Sequence, residues 1–123
     1  MPDEKPQAPR ILIVEDEPML ALTLEELLVK AGFAIAGVAG RLEKALELIE
    51  SVACDAAIVD ANLACVSASP VAVALDARAV PFIVLSGYSP EQLHGAFLGA
   101  NFLRKPCRPA QLLQALNAIL LKQ

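Results

Sequence analysis

The stretch ILIVEDE at residues 11–17 joins an apolar run to three consecutive acidic residues, and it gives the clearest indication of the fold. Residues 11–14 are uninterrupted apolar positions rich in β-branched side chains, which is typical of a parallel strand covered on both faces. A helix-period segment follows over residues 18–31, with Pro18 suited to its first turn and Gly32 suited to the position after its end. A buried strand followed directly by a helix is the repeating unit of a parallel α/β sheet.

The same alternation continues along the chain. Further strands are predicted at residues 33–38, 56–59, 82–85 and 101–104, and further helices at 42–52, 70–79, 90–98 and from about 109 onward. Five strand–helix pairs in about 110 residues predict a doubly wound α/β fold, the flavodoxin-like (βα)5 sheet with strand order 2-1-3-4-5. Residues 1–9 are polar and proline-rich and are predicted to be a flexible tail, so the domain is expected over residues 10–123.

Composition excludes several classes of protein. A chain of 123 residues is one domain, and a hydrophobic fraction of 56% allows a sizeable core. No apolar run reaches the length of a membrane span, and the N-terminus resembles no targeting signal, so a cytoplasmic location is expected. The net charge of -4 argues against nucleic-acid binding. Cys54, Cys65 and Cys107 have neither zinc-site spacing nor an even count, and we interpret them as reduced structural residues.

Polar residues follow four of the predicted strands at their carboxyl ends. Glu15 and Asp16 follow the first strand, Asp60 the third and Ser86 the fourth, and the fifth strand leads into Lys105. In the 2-1-3-4-5 order these four strands are neighbours, and ligands of such sheets bind outside the carboxyl ends. Three converging carboxylates repel one another unless a cation lies between them, and their hard oxygens suit Mg²⁺.

These groups together fit phosphoryl transfer. A carboxylate can act as the nucleophile and form an aspartyl phosphate. A metal ion and a lysine neutralise charge on the transferring oxygens, while a hydroxyl donates a hydrogen bond to one of them. Each residue type alone is common at a strand end, and Glu17 is interpreted as a solvated charge. The ordered combination is what favours the functional interpretation.

At this point the sequence resembles the receiver domain of bacterial two-component response regulators over residues 10–121, and in particular receivers that occur alone. The matching stretches are ILIVEDE, AAIVDANL, FIVLSGY and NFLRKP, in the family's order. The resemblance implies that Asp60 accepts the phosphoryl group. It also implies that Glu15, Asp16, Asp60 and the main-chain carbonyl of Asn62 hold Mg²⁺.

The resemblance assigns three further roles. Ser86 corresponds to the family's hydroxyl residue and Lys105 to its lysine, with Lys105–Pro106 as a candidate cis peptide bond. Phe102 corresponds to the switch aromatic, which turns inward when the hydroxyl residue moves toward the phosphorylated Asp60. The surface that changes is formed by the fourth predicted helix, the fifth predicted strand and the last helix.

The resemblance also implies partners. A histidine kinase or a histidine phosphotransfer protein would supply the phosphoryl group. Output would come from binding a downstream protein target, from onward phosphotransfer or from acting as a phosphoryl sink. The switching face would also be the one that forms a homodimer. Neither nucleic acid nor membrane is expected as a partner. The chain is expected not to be an enzyme beyond Mg²⁺-dependent self-phosphorylation and autodephosphorylation.

The sequence departs from the family pattern in the loop after Asp60. There the segment ACVSASP has no glycine, and its proline comes late, at Pro70, which leaves the loop geometry open. Tyr88 occupies a position that controls access of water in the family, and its ring is expected to slow dephosphorylation. Cys107 and His94 are given structural interpretations, in preference to a redox role and a phosphotransfer role.

Three other functions compete with the switch. A phosphorylation-independent pseudo-receiver, acting as a protein-interaction module, would usually have lost part of the acidic, hydroxyl and lysine set. A metal-dependent phosphohydrolase would need a second acid two residues after the nucleophile, where this chain has Asn62. A flavodoxin-like cofactor binder would need a phosphate-binding loop after the first strand, where this chain is acidic.

Overall fold

The structure is a computed structural model that describes residues 8–63, 66–87 and 101–121. Within these residues a five-stranded parallel sheet is flanked by four helices, and a small two-stranded antiparallel sheet follows its third strand. The elements in chain order are β1 (Arg10–Val14), α1 (Pro18–Lys30), β2 (Ala34–Ala39), α2 (Leu42–Ser51), β3 (Ala56–Asp60), β4 (Asn62–Leu63), β5 (Val66–Ser67), α3 (Ser69–Ala77), β6 (Phe82–Ser86), β7 (Asn101–Arg104) and α4 (Pro109–Leu121).

The order of the large sheet is β2-β1-β3-β6-β7, and every neighbouring pair in it is parallel. This is the predicted 2-1-3-4-5 order, since β6 and β7 are the fourth and fifth strands of the sheet. The predicted helix over residues 90–98 lies outside the described residues. In the described part of the chain, no helix is both long enough and apolar enough to cross a membrane.

Strand alternation divides the core into two layers. One cluster packs α2 and α3 against one face of the sheet and includes Val14, Val59 and Val84. The other packs α1 and α4 against the opposite face and includes Ile13 and Ile58. Because both faces are covered, β1, β3 and β6 are apolar at nearly every position, which explains their uninterrupted hydrophobic runs.

The helix ends follow local sequence signals. Pro18 occupies the first turn of α1, where a missing N–H costs nothing, and Gly32 follows the helix with a φ of 96°. The Gly32 N–H donates to the Val29 carbonyl, and the Phe33 N–H donates to the Leu28 carbonyl, which closes the last turn. These signals fix where the chain re-enters the sheet as β2.

The short antiparallel sheet of β4 and β5 was not predicted. It pairs Asn62 with Ser67 and Leu63 with Val66, directly after Asp60. Two-residue strands are too short to produce a hydrophobic period, so sequence periodicity could not indicate them. The predicted helix over residues 70–79 is confirmed as α3, although it begins one residue earlier and ends at Ala77.

Candidate functional site

Three acidic side chains meet at the carboxyl ends of β1 and β3. Glu15 and Asp16 follow β1 and Asp60 ends β3, and one oxygen of each carboxylate lies within 4.8 Å of the others. Glu15 and Asp60 are buried, and Asp16 is half-buried. The sequence prediction that these residues converge is therefore confirmed as geometry.

Glu15 is held in place by its own loop and by β2. Its main-chain N–H donates to the Ala39 carbonyl at 2.9 Å, and its Oε2 accepts a hydrogen bond from the Glu17 N–H at 3.1 Å. Glu17 itself is exposed, as the interpretation of a solvated charge requires. The hydrogen bond from the Glu17 main-chain amide was not predicted, because side-chain patterns in a sequence do not indicate main-chain contacts.

Lys105 brings a positive charge into this acidic cluster. Its Nζ lies 3.2 Å from Glu15 Oε1, to which it donates a hydrogen bond, and 3.3 Å from Asp60 Oδ2. Its main-chain N–H donates to the Ser86 carbonyl at 2.8 Å, which ties the end of β7 to the end of β6. The Lys105–Pro106 peptide bond is cis, as predicted.

Burial and charge perturb both partners of this ion pair. Burial, aided by the nearby charge of Asp60, raises the pKa of Glu15 to about 7, and the opposing Glu17 hydrogen bond and Lys105 charge do not cancel it. Burial alone would lower the pKa of Lys105, but the charges of Asp60 and Glu15 outweigh it, so that pKa is raised. Lys105 therefore stays protonated, while Glu15 titrates near neutral pH.

Ser86 and Phe102 lie in neighbouring strands of the sheet. Ser86 ends β6 and is buried at 2% exposure, and Phe102 lies in β7 opposite Val84. Val84 and Phe102 belong to the layer under α2 and α3, and strand alternation places Ser86 in the same row as Val84. The hydroxyl and the ring thus share one face of the sheet.

Some of the other residues singled out in the sequence lie within the described part of the chain and others do not. Asn62 begins β4, two residues after Asp60, whereas Cys65, Tyr88 and His94 lie outside the described residues. Cys54 is half-buried against the layer under α2 and α3, and Cys107 is half-buried against the layer under α1 and α4. Burial raises the pKa of both thiols, which disfavours the reactive thiolate and agrees with a structural interpretation.

The residues present suit a divalent cation. Three hard carboxylate donors lie within reach of a single ion. The pKa of Glu15 is raised by burial and by the nearby charge of Asp60, and a bound cation would offset both effects. The Lys105 ammonium supplies part of that compensation, through its ion pairs with Glu15 and Asp60. The arrangement can therefore bind a metal ion and place a carboxylate, an ammonium and a hydroxyl around a transferring anion.

Comparisons with known proteins agree with this arrangement. The sequence model of the response regulator receiver domain matches residues 11–117, which is most of the chain. The transcriptional regulatory protein PdtaR of Mycobacterium tuberculosis is 32% identical over 115 residues, covering 88% of this chain and 55% of that protein. The chain thus spans about half the length of the curated relatives it matches. It belongs to the response regulator receiver domain family.

Solved structures show the same fold. SdrG of Sphingomonas melonis Fr1 is 36% identical with a TM-score of 0.80, covering 94% of this chain and 99% of that one. A CheY-like receiver domain protein of Methanospirillum hungatei JF-1 has a TM-score of 0.84 at 24% identity, covering 94% of this chain and 95% of that one. The second likeness, at this identity, supports the fold alone.

Proposed function

We propose that this receiver is a phosphoacceptor that is phosphorylated on Asp60 in an Mg²⁺-dependent reaction within a two-component phosphorelay. The observation that carries the proposal is the position of Lys105 Nζ, 3.3 Å from Asp60 Oδ2, beside the acidic cluster of Glu15, Asp16 and Asp60. A nucleophilic carboxylate next to both a fixed cation and a metal-binding cluster is the set of groups that phosphoryl transfer requires.

In the proposed reaction an Asp60 carboxylate oxygen attacks the phosphorus atom of a phosphohistidine on a histidine kinase or a histidine phosphotransfer protein. The phosphorus–nitrogen bond breaks, and the imidazole leaves with the electron pair and is then protonated. Mg²⁺, held by Glu15, Asp16, Asp60 and the Asn62 carbonyl, would supply charge neutralisation on the phosphoryl oxygens. The Lys105 ammonium, already beside Asp60, would bind one of those oxygens.

Ser86 and Phe102 would carry the signal away from Asp60. The buried Ser86 hydroxyl would donate to a phosphoryl oxygen, and the Phe102 ring, on the same face of the sheet, would pack into the space that Ser86 leaves. A phenylalanine offers no hydroxyl to a partner, so this switch would act by packing alone. The face containing β7 and α4 would then change its affinity for a downstream protein or for a second copy.

The proposal includes the other expectations drawn from the sequence. The protein would not be an enzyme beyond its own phosphorylation and dephosphorylation, and it would act in the cytoplasm, where its phosphodonor would be found. Nucleic acid and membrane are not proposed as partners.

Intact-mass spectrometry tests the proposal. The protein is incubated with Mg²⁺ and acetyl phosphate beside an Asp60→Asn variant and a sample containing a metal chelator. We expect one added phosphoryl group in the unmodified protein with Mg²⁺ and none in the other two samples. If the unmodified protein gains no mass and binds no Mg²⁺, the phosphoacceptor function is wrong and the chain is a pseudo-receiver that binds partners without phosphorylation.

A further inference from the structure

Two short strands follow Asp60, β4 at residues 62–63 and β5 at residues 66–67, and we call this antiparallel pair the hairpin. Its two strands pair Asn62 with Ser67 and Leu63 with Val66 in antiparallel register. These strands lie in the segment after β3 where the sequence departs from the family pattern, since it has no glycine and its proline, Pro70, comes late. A hairpin therefore stands where sequence analysis left the loop geometry open.

The base of the hairpin is tied to the main sheet. The Ala61 N–H donates to the Leu85 carbonyl of β6 at 3.0 Å, and the Ala68 N–H donates to the Ala61 carbonyl at 3.0 Å. Ala61 and Ala68 are buried, at 4% and 0% exposure. The Ala68 hydrogen bond thus closes the base of the hairpin, and the Ala61 hydrogen bond ties that base to β6, in a buried region directly after Asp60.

Two side chains fix the hairpin to its surroundings. Leu63 is 2% exposed and belongs to the same core cluster as Val71 and Leu75 of α3. Ser67 is exposed, and its Oγ accepts a hydrogen bond from the Ser69 N–H at 3.2 Å and lies 2.9 Å from Ser69 Oγ. Leu63 holds one strand in the core, and Ser67 joins the other strand to the first turn of α3.

The register determines where the main chain of Asn62 points. Antiparallel pairs alternate between residues that are hydrogen-bonded to each other and residues that are not. Because Ala68 is hydrogen-bonded to Ala61, the next pair, Asn62 and Ser67, is of the second kind. The Asn62 carbonyl is therefore not used in pairing with Ser67 and is directed away from that strand.

We propose that the hairpin is a positioning device for the cation site, with Leu63 and Ser67 as positioning residues that act through the Asn62 carbonyl. This inference rests on the proposed Mg²⁺ site of Glu15, Asp16 and Asp60. A carbonyl ligand on a loose loop must be ordered each time an ion binds, whereas one on an anchored hairpin is already in place. Loosening the hairpin should weaken Mg²⁺ binding although no ligand is removed.

Isothermal titration calorimetry of the unphosphorylated protein with MgCl2 tests this inference, because it measures Mg²⁺ affinity and requires no phosphotransfer. Leu63→Ala is compared with Leu28→Ala, which truncates an equally buried leucine of α1 in the core layer on the opposite face of the sheet. We expect Leu63→Ala to weaken Mg²⁺ binding about tenfold, as loss of groups that orient metal ligands typically does, and Leu28→Ala to leave it unchanged. Circular dichroism is used to confirm that each variant is folded.

A second series avoids the core altogether. Ser67→Ala should weaken Mg²⁺ binding about threefold because one local turn bond is lost, and Ser67→Thr, which keeps a hydroxyl, should restore it. Ser51→Ala is the matched control, since Ser51 Oγ is also exposed and donates locally, to the Glu47 carbonyl at 2.9 Å in α2. That control should bind Mg²⁺ as the unmodified protein does.

The outcomes separate this inference from the function on which it rests. If the unmodified protein binds Mg²⁺ and all the hairpin variants bind it equally well, the positioning role is wrong and the proposed function stands. The role is also wrong if Leu63→Ala and Leu28→Ala weaken binding to the same extent, because the effect is then general. If the unmodified protein binds no Mg²⁺, both the hairpin role and the proposed cation site are wrong.

Discussion

The interior of the sheet and its carboxyl edge are built from the same strands but obey different rules. The side chains of residues 11–14 in β1 and of residues 56–59 in β3 are apolar and almost completely buried. The next positions, Glu15 and Asp60, are buried as well but carry carboxylates. Burial therefore stabilises the strands along most of their length, and one residue further on it forces like charges together.

The buried carboxylates make the carboxyl edge less favourable for folding than the apolar interior. An apolar residue at the edge would extend the core, whereas the buried carboxyl of Glu15 has a raised pKa and the buried carboxylates need compensating charge. Lys105, which directly follows the carboxyl end of β7, supplies part of that compensating charge. Substitutions in the interior should accordingly change the free energy of unfolding through side-chain volume. At the edge, this free energy should depend on pH, metal ions and charge.

The largest effect is expected in the interior. Ile58→Ala removes a side chain that is 1% exposed in the layer under α1 and α4, and it should lower the free energy of unfolding by about 4 kcal/mol. Urea unfolding followed by circular dichroism measures this change. A loss below about 1 kcal/mol would show that the layer rearranges to fill the cavity.

The edge should make stability depend on pH. Because the pKa of Glu15 is raised from 4.5 to about 7, the folded protein binds more protons than the unfolded chain between these values. The free energy of unfolding of the metal-free protein should therefore fall as pH rises from about 4.5 to about 7, by at most about 3 kcal/mol from this group.

Urea unfolding at several pH values, with a chelator present, measures that dependence. Glu15→Gln is the matched control, since it removes the titrating carboxyl and keeps the single histidine of the sequence. The variant should lose the Glu15 part of the pH dependence. Identical slopes for the two proteins would contradict the assignment of the effect to Glu15.

Mg²⁺ should raise the free energy of unfolding through the carboxylates at the edge, and a substitution in the interior should not change this increase. A ligand that binds only the folded state raises the free energy of unfolding by about 1.4 kcal/mol at ten times its dissociation constant. Thermal unfolding with and without MgCl2 should show this increase for the unmodified protein and for Ile58→Ala alike. Asp60→Asn should show a smaller increase, and an equal one would mean that the ion binds elsewhere.

The smallest effect is expected for the lysine. Lys105→Gln removes the cation that faces both buried carboxylates, but the Lys105 side chain is 26% exposed, which weakens the pair. The free energy of unfolding at pH 8 should fall by about 1 kcal/mol, and Mg²⁺ should restore most of it. Lys44→Gln, at an exposed ion pair in α2, is the control and should have no measurable effect. An equal response of the two variants would contradict a special role for Lys105 at the edge.

Most of the fold could be predicted from the sequence because its signals are local or periodic. Short uninterrupted apolar runs identified β1, β3 and β6, and the 3.6-residue period with Pro18 and Gly32 identified α1. The hairpin of β4 and β5 could not be predicted in this way. Its strands are two residues long, and its register depends on contacts of Leu63 and Ala61 with distant parts of the core.

The sequence by itself determined which chemical groups end the strands, because a residue's position after an apolar run is visible in one dimension. It thereby identified Glu15, Asp16, Asp60, Ser86 and Lys105 as candidates for one site. Only the tertiary structure decided that Lys105 contacts Glu15, 90 residues away, and that burial raises the pKa of that carboxyl to about 7. Distances between side chains and their exclusion from water arise when separate strands pack together, and no local pattern of residues encodes them.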